Sequence, residues 1–346
     1  MMMGQSMRML RVIAPITATL LLALVAICVL LIAVHVDVLL AARAFYQSTF
    51  GSLRTFGEVL VRSTPLLLIA ATLLPSLRSG FYNIGAPGQV AAGGLAATFV
   101  ALNMSGAPAP LALVSCAISA AVAGGLVSML PGFLKARWTV NEIVSSLAMN
   151  FIMIAVLGYL LNGPMQSDFA NLPQSDSLPA NSSVPKIFDG TRAHMGVYIA
   201  LMAIPLLILL DKSIIGYRLR VFYANQNLSR RANVNPGAYT IWMFVLAGTG
   251  AGLAGWMQVA AIDHRLYPGI AEPIGYAGLF VVFLGALHPV GIVLAAFALG
   301  ALMHGGGSLQ VGAGVSAEIV QVFLGVVLIV YAVMPRASGS SADGRK

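Results

Sequence analysis

The chain is short of charge. Of its 346 residues, 19 are Lys or Arg and 11 are Asp or Glu, 9% in all, where a soluble domain carries roughly 25%. Cysteine is nearly missing. Cys28 and Cys116 both lie in apolar runs and neither has a CxxC neighbour, so disulfide and thiolate-zinc readings have no support. No GxxxxGK[ST] occurs, so the chain has no P-loop for ATP, and no HExxH occurs. His35, His194, His264, His288 and His304 are scattered along the chain, which argues against a metal site.

Apolar residues fill the space that charge leaves. The hydrophobic fraction is 59% and the mean hydropathy is +0.90. A soluble fold of this length lacks the interior volume to hide so much apolar surface. A soluble enzyme, a nucleic-acid binder and a disordered chain are thereby excluded. The expected fold class is an all-α polytopic membrane protein. In that setting the net charge of +8 marks inner loops and not a nucleic-acid surface.

A span needs about 20 largely apolar residues. The candidates are 12–34, 59–77, 82–102, 108–130, 140–161, 195–211, 239–260, 273–288, 289–305 and 316–334. The 273–305 stretch is divided only by His288-Pro289, and the mixed 36–57 stretch reads as an interfacial or re-entrant piece. The first run, preceded by Arg8 and Arg11, exceeds the roughly 7–15 apolar residues of a signal peptide, so a retained helix is expected. Ten alternating spans from a cytoplasmic N-terminus put most of the 19 Lys and Arg inside, which favours both termini in the cytoplasm. The outer loop 163–193 is rich in Pro, Ser and Asn; loops so long are functional or disordered. The inner loop 213–236 holds several Arg, and 335–346 forms an inner tail. Asn181-Ser182-Ser183 matches a glycosylation pattern, read here as chance in a Ser/Asn-rich loop.

Four features stand out. Gly250 to Gly255 matches GxGxxG but lies in an apolar helix with no preceding strand, so it reads as small-residue helix packing and not as a dinucleotide site. Gly216 to Pro236 spaces Ala224, Leu228 and Arg231 helically among polar residues, as in a short amphipathic helix outside the membrane. Its residues fit a lipid-headgroup anchor and a docking element for a cytosolic partner equally well. Gly80 to Gln89 concentrates Gly, Pro, Asn and Gln where hydropathy wants membrane; broken helix at that depth must be buried in protein or line a cavity. Asn83 and Gln89 are suited to hydrogen-bond a polar solute, and a tight turn between helices is the other reading. Glu142 follows Asn141 at the start of a span, with Asn150 two turns on. An intramembrane carboxylate is a functional candidate, although Glu142 near the boundary also suits a helix cap or a pair with Arg78 or Arg137.

In order along the chain, four stretches resemble the permease subunits of bacterial ABC importers in the branched-chain amino acid/simple sugar superfamily, nearest its nucleoside-type branch. Phe81 to Gln89 is similar to FNIGAEGQ, and Lys135 to Asn150 is similar to KAxxGxNEV…MLN. Gly216 to Asn235 follows the arginine- and asparagine-containing inner-loop pattern, and Gly275 to Gly291 is similar to GYGFxGIAVALLGxxNPxGI. The resemblance covers about residues 60–334. It departs at Pro87, where the branch has Glu, and at Tyr223, Gln226, Asn227 and Asn233 in the inner loop.

The resemblance implies a transport subunit with no catalytic site and no cofactor of its own, ATP and Mg residing on a partner. It implies a bacterial inner-membrane location, a cytosolic ABC ATPase, an extracytoplasmic solute-binding protein facing 163–193, and a second permease, paralogous or identical. It makes 213–236 the coupling helix, with Arg218, Arg220, Asn225, Arg230 and Arg231 toward the ATPase. Asn83, Gly85, Gly88, Gln89, Glu142 and Asn150 become candidates for the translocation path. The solute expected is a nucleoside, with a simple sugar or branched-chain amino acid as the alternative. An ion-gradient-driven transporter would need deep ionisable residues and repeats, which the spans lack.

Overall fold

The computed structural model describes residues 35–168, 171–214, 216–218 and 235–313, with a few isolated positions around these. Among the described residues the chain is helical, without strands beyond one isolated bridge. The α-helices are α1 (Val38–Phe50), α2 (Leu53–Arg78), α3 (Ala86–Asn103), α4 (Ala109–Trp138), α5 (Glu142–Leu161), α6 (Gly196–Lys212), α7 (Pro236–Met257), α8 (Glu272–Leu284) and α9 (Pro289–Ala313). A π-helical turn, Gln258–Asp263, continues α7. Five stretches among the described residues are long and apolar enough to cross a membrane: Leu53–Arg78, Ala109–Trp138, Glu142–Leu161, Pro236–Asp263 and Pro289–Gly307.

Several boundaries differ from the sequence expectation. The 36–57 stretch divides between two helices. Asp37 caps α1 through the amides of Leu39 and Leu40. Ser52 then opens α2 with a reciprocal capping box to Thr55. The helix that contains the span expected at 59–77 therefore begins at Leu53. The 108–130 span extends to Trp138, where Lys135 and Arg137 lie in the last turn and complement the helix dipole. The helix expected from 273 to 288 stops at Leu284, and Ala286 and Leu287 both adopt positive φ, 52° and 55°, before α9. The expected spans 12–34 and 316–334 and the 335–346 tail lie largely or wholly outside the described residues.

The span expected at 82–102 starts as helix only at Ala86. Its 18 residues rise about 27 Å, short of a roughly 30 Å hydrocarbon core. The stretch Phe81–Gly85 covers the remainder as non-helical chain. Gly80 allows the preceding reversal at φ 78°, a region open to glycine at no steric cost.

α2 and α7 form the centre. Their apolar windows are 83% and 78% buried, against 28% for α4 and 17% for α5, whose outward faces carry residues such as Val122, Leu126, Phe151 and Tyr159. The GxGxxG stretch explains the tight centre. A Cβ on Gly252 would overlap the Ala120 carbonyl oxygen, and one on Gly93 would overlap the carbonyl oxygen of Gly252. Backbones of α3, α4 and α7 thus meet at Gly252, as small residues in membrane helices permit.

The described residues of the 163–193 loop are hydrogen-bonded against the opposite end from Arg78. Ser175 and Leu178 donate to the carbonyls of Leu266 and His264, and Val184 donates to that of Ala260. The Asn181 amide donates to the carbonyls of Met104 and Ala107, each at 2.8 Å, which accounts for that asparagine without glycosylation. Arg192 reaches Glu58 at 3.4 Å and the Ile262 carbonyl at 3.0 Å.

Candidate functional site

The broken segment between α2 and α3 is held by side chains from three helices. Asn83 sits at its centre and is fully buried. Its Nδ2 donates to Gln89 Oε1 at 3.3 Å and to Ser128 Oγ of α4 at 3.1 Å. Its Oδ1 accepts from the Gly85 amide at 2.9 Å and from Gln89 Nε2 at 3.1 Å. A primary amide has two N–H donors and two acceptor lone pairs, so Asn83 has no hydrogen-bonding capacity left. The Ser128 hydroxyl in turn donates to the Phe244 carbonyl of α7 at 2.6 Å.

α5 supplies the second half of the network. Asn150 Oδ1 accepts from the Gly88 amide, and its Nδ2 donates to the Ile84 carbonyl, both at 2.9 Å. Ser146 Oγ accepts from the Ile84 amide at 3.1 Å. Helix N-termini leave backbone amides without intrahelical partners. In water they would be hydrated; here polar side chains satisfy them in a buried site. Gly88 is required for this approach, because a Cβ there would sit 2.9 Å from the Asn150 Cα.

Five of the path candidates, Asn83, Gly85, Gly88, Gln89 and Asn150, thus meet in one network. Sequence reading missed Ser128 and Ser146, which carry no motif and are distant along the chain. Tyr82, in the same segment, is exposed. Glu142 stands apart: its carboxylate pairs with Lys135 Nζ at 2.8 Å, and not with Arg78 or Arg137 as its position suggests. Asn141 caps α5 through the amides of Ile143 and Val144. Arg78 instead pairs with Asp211. Of the expected coupling residues, Arg218 belongs to a described helical stretch 216–218. Arg220, Asn225, Arg230 and Arg231 lie outside the described residues.

A separate cavity of about 620 Å³ opens between α3, α4 and α5, lined by residues such as Phe99, Leu126, Met153 and Met165. This lining offers a polar solute almost no hydrogen-bond partners, and an unpaired polar group is costly to bury. No group of three or more His, Cys, Asp or Glu is placed to hold a metal among the described residues.

At the opposite end His194 is buried, and neither ring nitrogen has a hydrogen-bond partner. Burial first, then the Arg192 guanidinium and His264, lower its pKa from the usual 6.5 to about 4. It is neutral at ordinary pH.

The family described as branched-chain amino acid transport system / permease component matches residues 55–332. The chain belongs to that family.

This permease is similar to curated relatives along most of its length. It is 32% identical over 315 residues to the glucose ABC transporter permease protein TsgB13 of Haloferax volcanii, covering 87% of this chain and 82% of the relative. It is 31% identical over 291 residues to the guanosine ABC transporter permease protein NupP of Bacillus subtilis, covering 83% of each. It is 26% identical over 315 residues to the nucleoside ABC transporter permease protein NupB of Lactococcus lactis, covering 86% of each. The permease is thus the multi-pass membrane component of an ABC transporter and not an enzyme. Its family implies an ATPase partner, which hydrolyses ATP, and a solute-binding protein.

Proposed function

We propose that this permease imports a nucleoside, as one of two permease subunits, with both termini in the cytoplasm. The observation that carries the solute class is the similarity, over more than four fifths of the chain, to a guanosine and a nucleoside permease protein. Asn83-Ile84-Gly85 and Gln89, which resemble that branch, support it. Glucose is the second reading, favoured by the 32% identity to TsgB13. Both solutes are neutral and rich in hydroxyl or amide groups, which agrees with spans poor in deep charge.

In this reading the broken segment borders the path, and its buried amides hold the segment in shape. The apolar outward faces of α4 and α5 are available to lipid and to the second permease, and the path is completed between subunits. A paralogous partner is favoured by the resemblance to the nucleoside branch. ATP and Mg bind the partner ATPase, and this chain binds neither. The segment 213–236, with Arg218, Arg220, Asn225, Arg230 and Arg231, docks on that ATPase. Closure of the ATPase pair then shifts the permease between outward- and inward-open states, which requires that partners contact the two states differently.

A mild-detergent pull-down of the tagged chain from native membranes, with partners identified by mass, tests the assembly. The expected result is an ATPase and a second, non-identical permease. Recovery of the chain alone after cross-linking would overturn it.

A further inference from the structure

Arg78 closes α2, and its guanidinium joins two elements that are otherwise far apart in sequence. Nη1 pairs with the Asp211 carboxylate in the last turn of α6. Nε donates to the Leu287 carbonyl at 2.8 Å. That carbonyl lies in the bend between α8 and α9, where Ala286 and Leu287 are both left-handed. Non-glycine residues hold that conformation only where surrounding contacts impose it. The planar fork of an arginine suits two acceptors at once, and a lysine does not reproduce it.

What adjoins each partner gives the arrangement its direction. Asp211 stands two residues before Ser213, which opens the next helical turn by accepting from the Gly216 and Tyr217 amides. That turn is the root of 213–236. On the other side, Arg78 immediately precedes the broken segment, whose Asn83 grips α3 and α4 and whose Ile84 is gripped by α5. One side chain therefore stands between the root of the proposed coupling segment and the buried break.

We propose that Arg78 is a positioning residue that transmits movement of the 213–236 segment to the broken segment before α3. The inference rests on the proposed ATPase-docking role of 213–236. Arg78 and Asp211 side chains are 33% and 32% exposed, and ion pairs that reach water contribute little to stability. The centre at α2, α7 and Gly252 does not depend on them. Severing the link is therefore expected to leave fold and docking intact and to disconnect the two movements.

The test uses the complete transporter in a Cys28→Ala, Cys116→Ala background. Spin labels are placed at Ile214 or Tyr82, both exposed, each paired with a label at exposed Leu172 on the opposite end. Distances are measured with and without ATP and vanadate. In the parent, both distances are expected to shift. In Arg78→Ala and Arg78→Lys, the Ile214 shift remains and the Tyr82 shift is lost, with ATPase co-purification unchanged. Asp211→Asn, which preserves packing, is expected to behave alike. Tyr82 moving fully in Arg78→Ala or Asp211→Asn overturns the proposal while leaving the docking reading intact. Full movement in Arg78→Lys reduces Arg78 to a charge at a helix end and overturns it too. An immobile Ile214 in the parent overturns the docking reading, and this proposal with it.

Discussion

Replacing Asn83 by Ala removes one side chain and four hydrogen bonds. These are the bonds to Gln89 Oε1, Ser128 Oγ, the Gly85 amide and Gln89 Nε2. Ser128 keeps its bond to the Phe244 carbonyl, so its hydroxyl proton stays satisfied. The Gly85 amide and the Gln89 side chain, which is 1% exposed, are left without those partners. A net contribution of about 1 kcal/mol per bond, with a further penalty for buried groups left unpaired, gives a destabilisation of about 3–5 kcal/mol. For a chain of this size that corresponds to a midpoint lowered by about 4–7 °C. The assay heats a fluorescently tagged variant in mild detergent and follows the monodisperse chromatographic peak. Asn103→Ala is the control, since its amide only reaches the Phe99 carbonyl at an exposed helix end. An Asn83→Ala midpoint equal to the control's would refute the reasoning. So would a stable variant whose only defect is a raised KM for uptake, because that is the signature of a solute ligand and not of a saturated pin.

Three further outcomes follow from the geometry. Gly252→Ala should abolish the monodisperse peak, since its Cβ would overlap the Ala120 carbonyl oxygen, whereas Gly158→Ala, with nothing within 4 Å, should leave the peak intact. Because His194 is held at a pKa of about 4 against 6.5, the unfolded state binds more protons below 6.5. Stability is complete above pH 6.5 and is lost progressively down to about pH 4, by about 2 kcal/mol at pH 5; a His194→Gln melting curve with the parent's pH slope would contradict this. Arg220→Glu and Arg230→Glu should abolish ATPase co-purification without lowering the chain's own melting midpoint; retention of the ATPase by both variants would remove the docking assignment.

Hydropathy made the helical class legible, and five of the ten expected spans fall on described helices long and apolar enough to cross a membrane, because apolar length is a local property of the sequence. Two kinds of boundary escaped it. α2 begins six residues before its apolar run, because Ser52 and Thr55 cap each other. α8 ends early in a bend where Ala286 and Leu287 are left-handed and their amides bond back to the carbonyls of Phe283 and Val282, a backbone reversal that hydropathy does not register. The polar break at 80–89 was visible because Gly, Pro, Asn and Gln are out of place at that depth. What its amides bind was not visible, since their partners Ser128, Ser146 and Asn150 are 45, 62 and 66 residues away from the groups they meet. Arg78 illustrates the same limit. Its charge suggested a neighbour such as Glu142, but the partner the fold supplies is Asp211, 133 residues on.

The most direct measurement is uptake of labelled guanosine by proteoliposomes holding this permease, its partner permease, the ATPase and the binding protein. A nucleoside importer should give accumulation that requires ATP inside the compartment carrying the ATPase, is displaced by unlabelled nucleosides and is unaffected by glucose. Accumulation in the absence of ATP under an imposed proton or sodium gradient would contradict ATPase coupling, and ATP-driven uptake displaced by glucose alone would replace the nucleoside by a sugar.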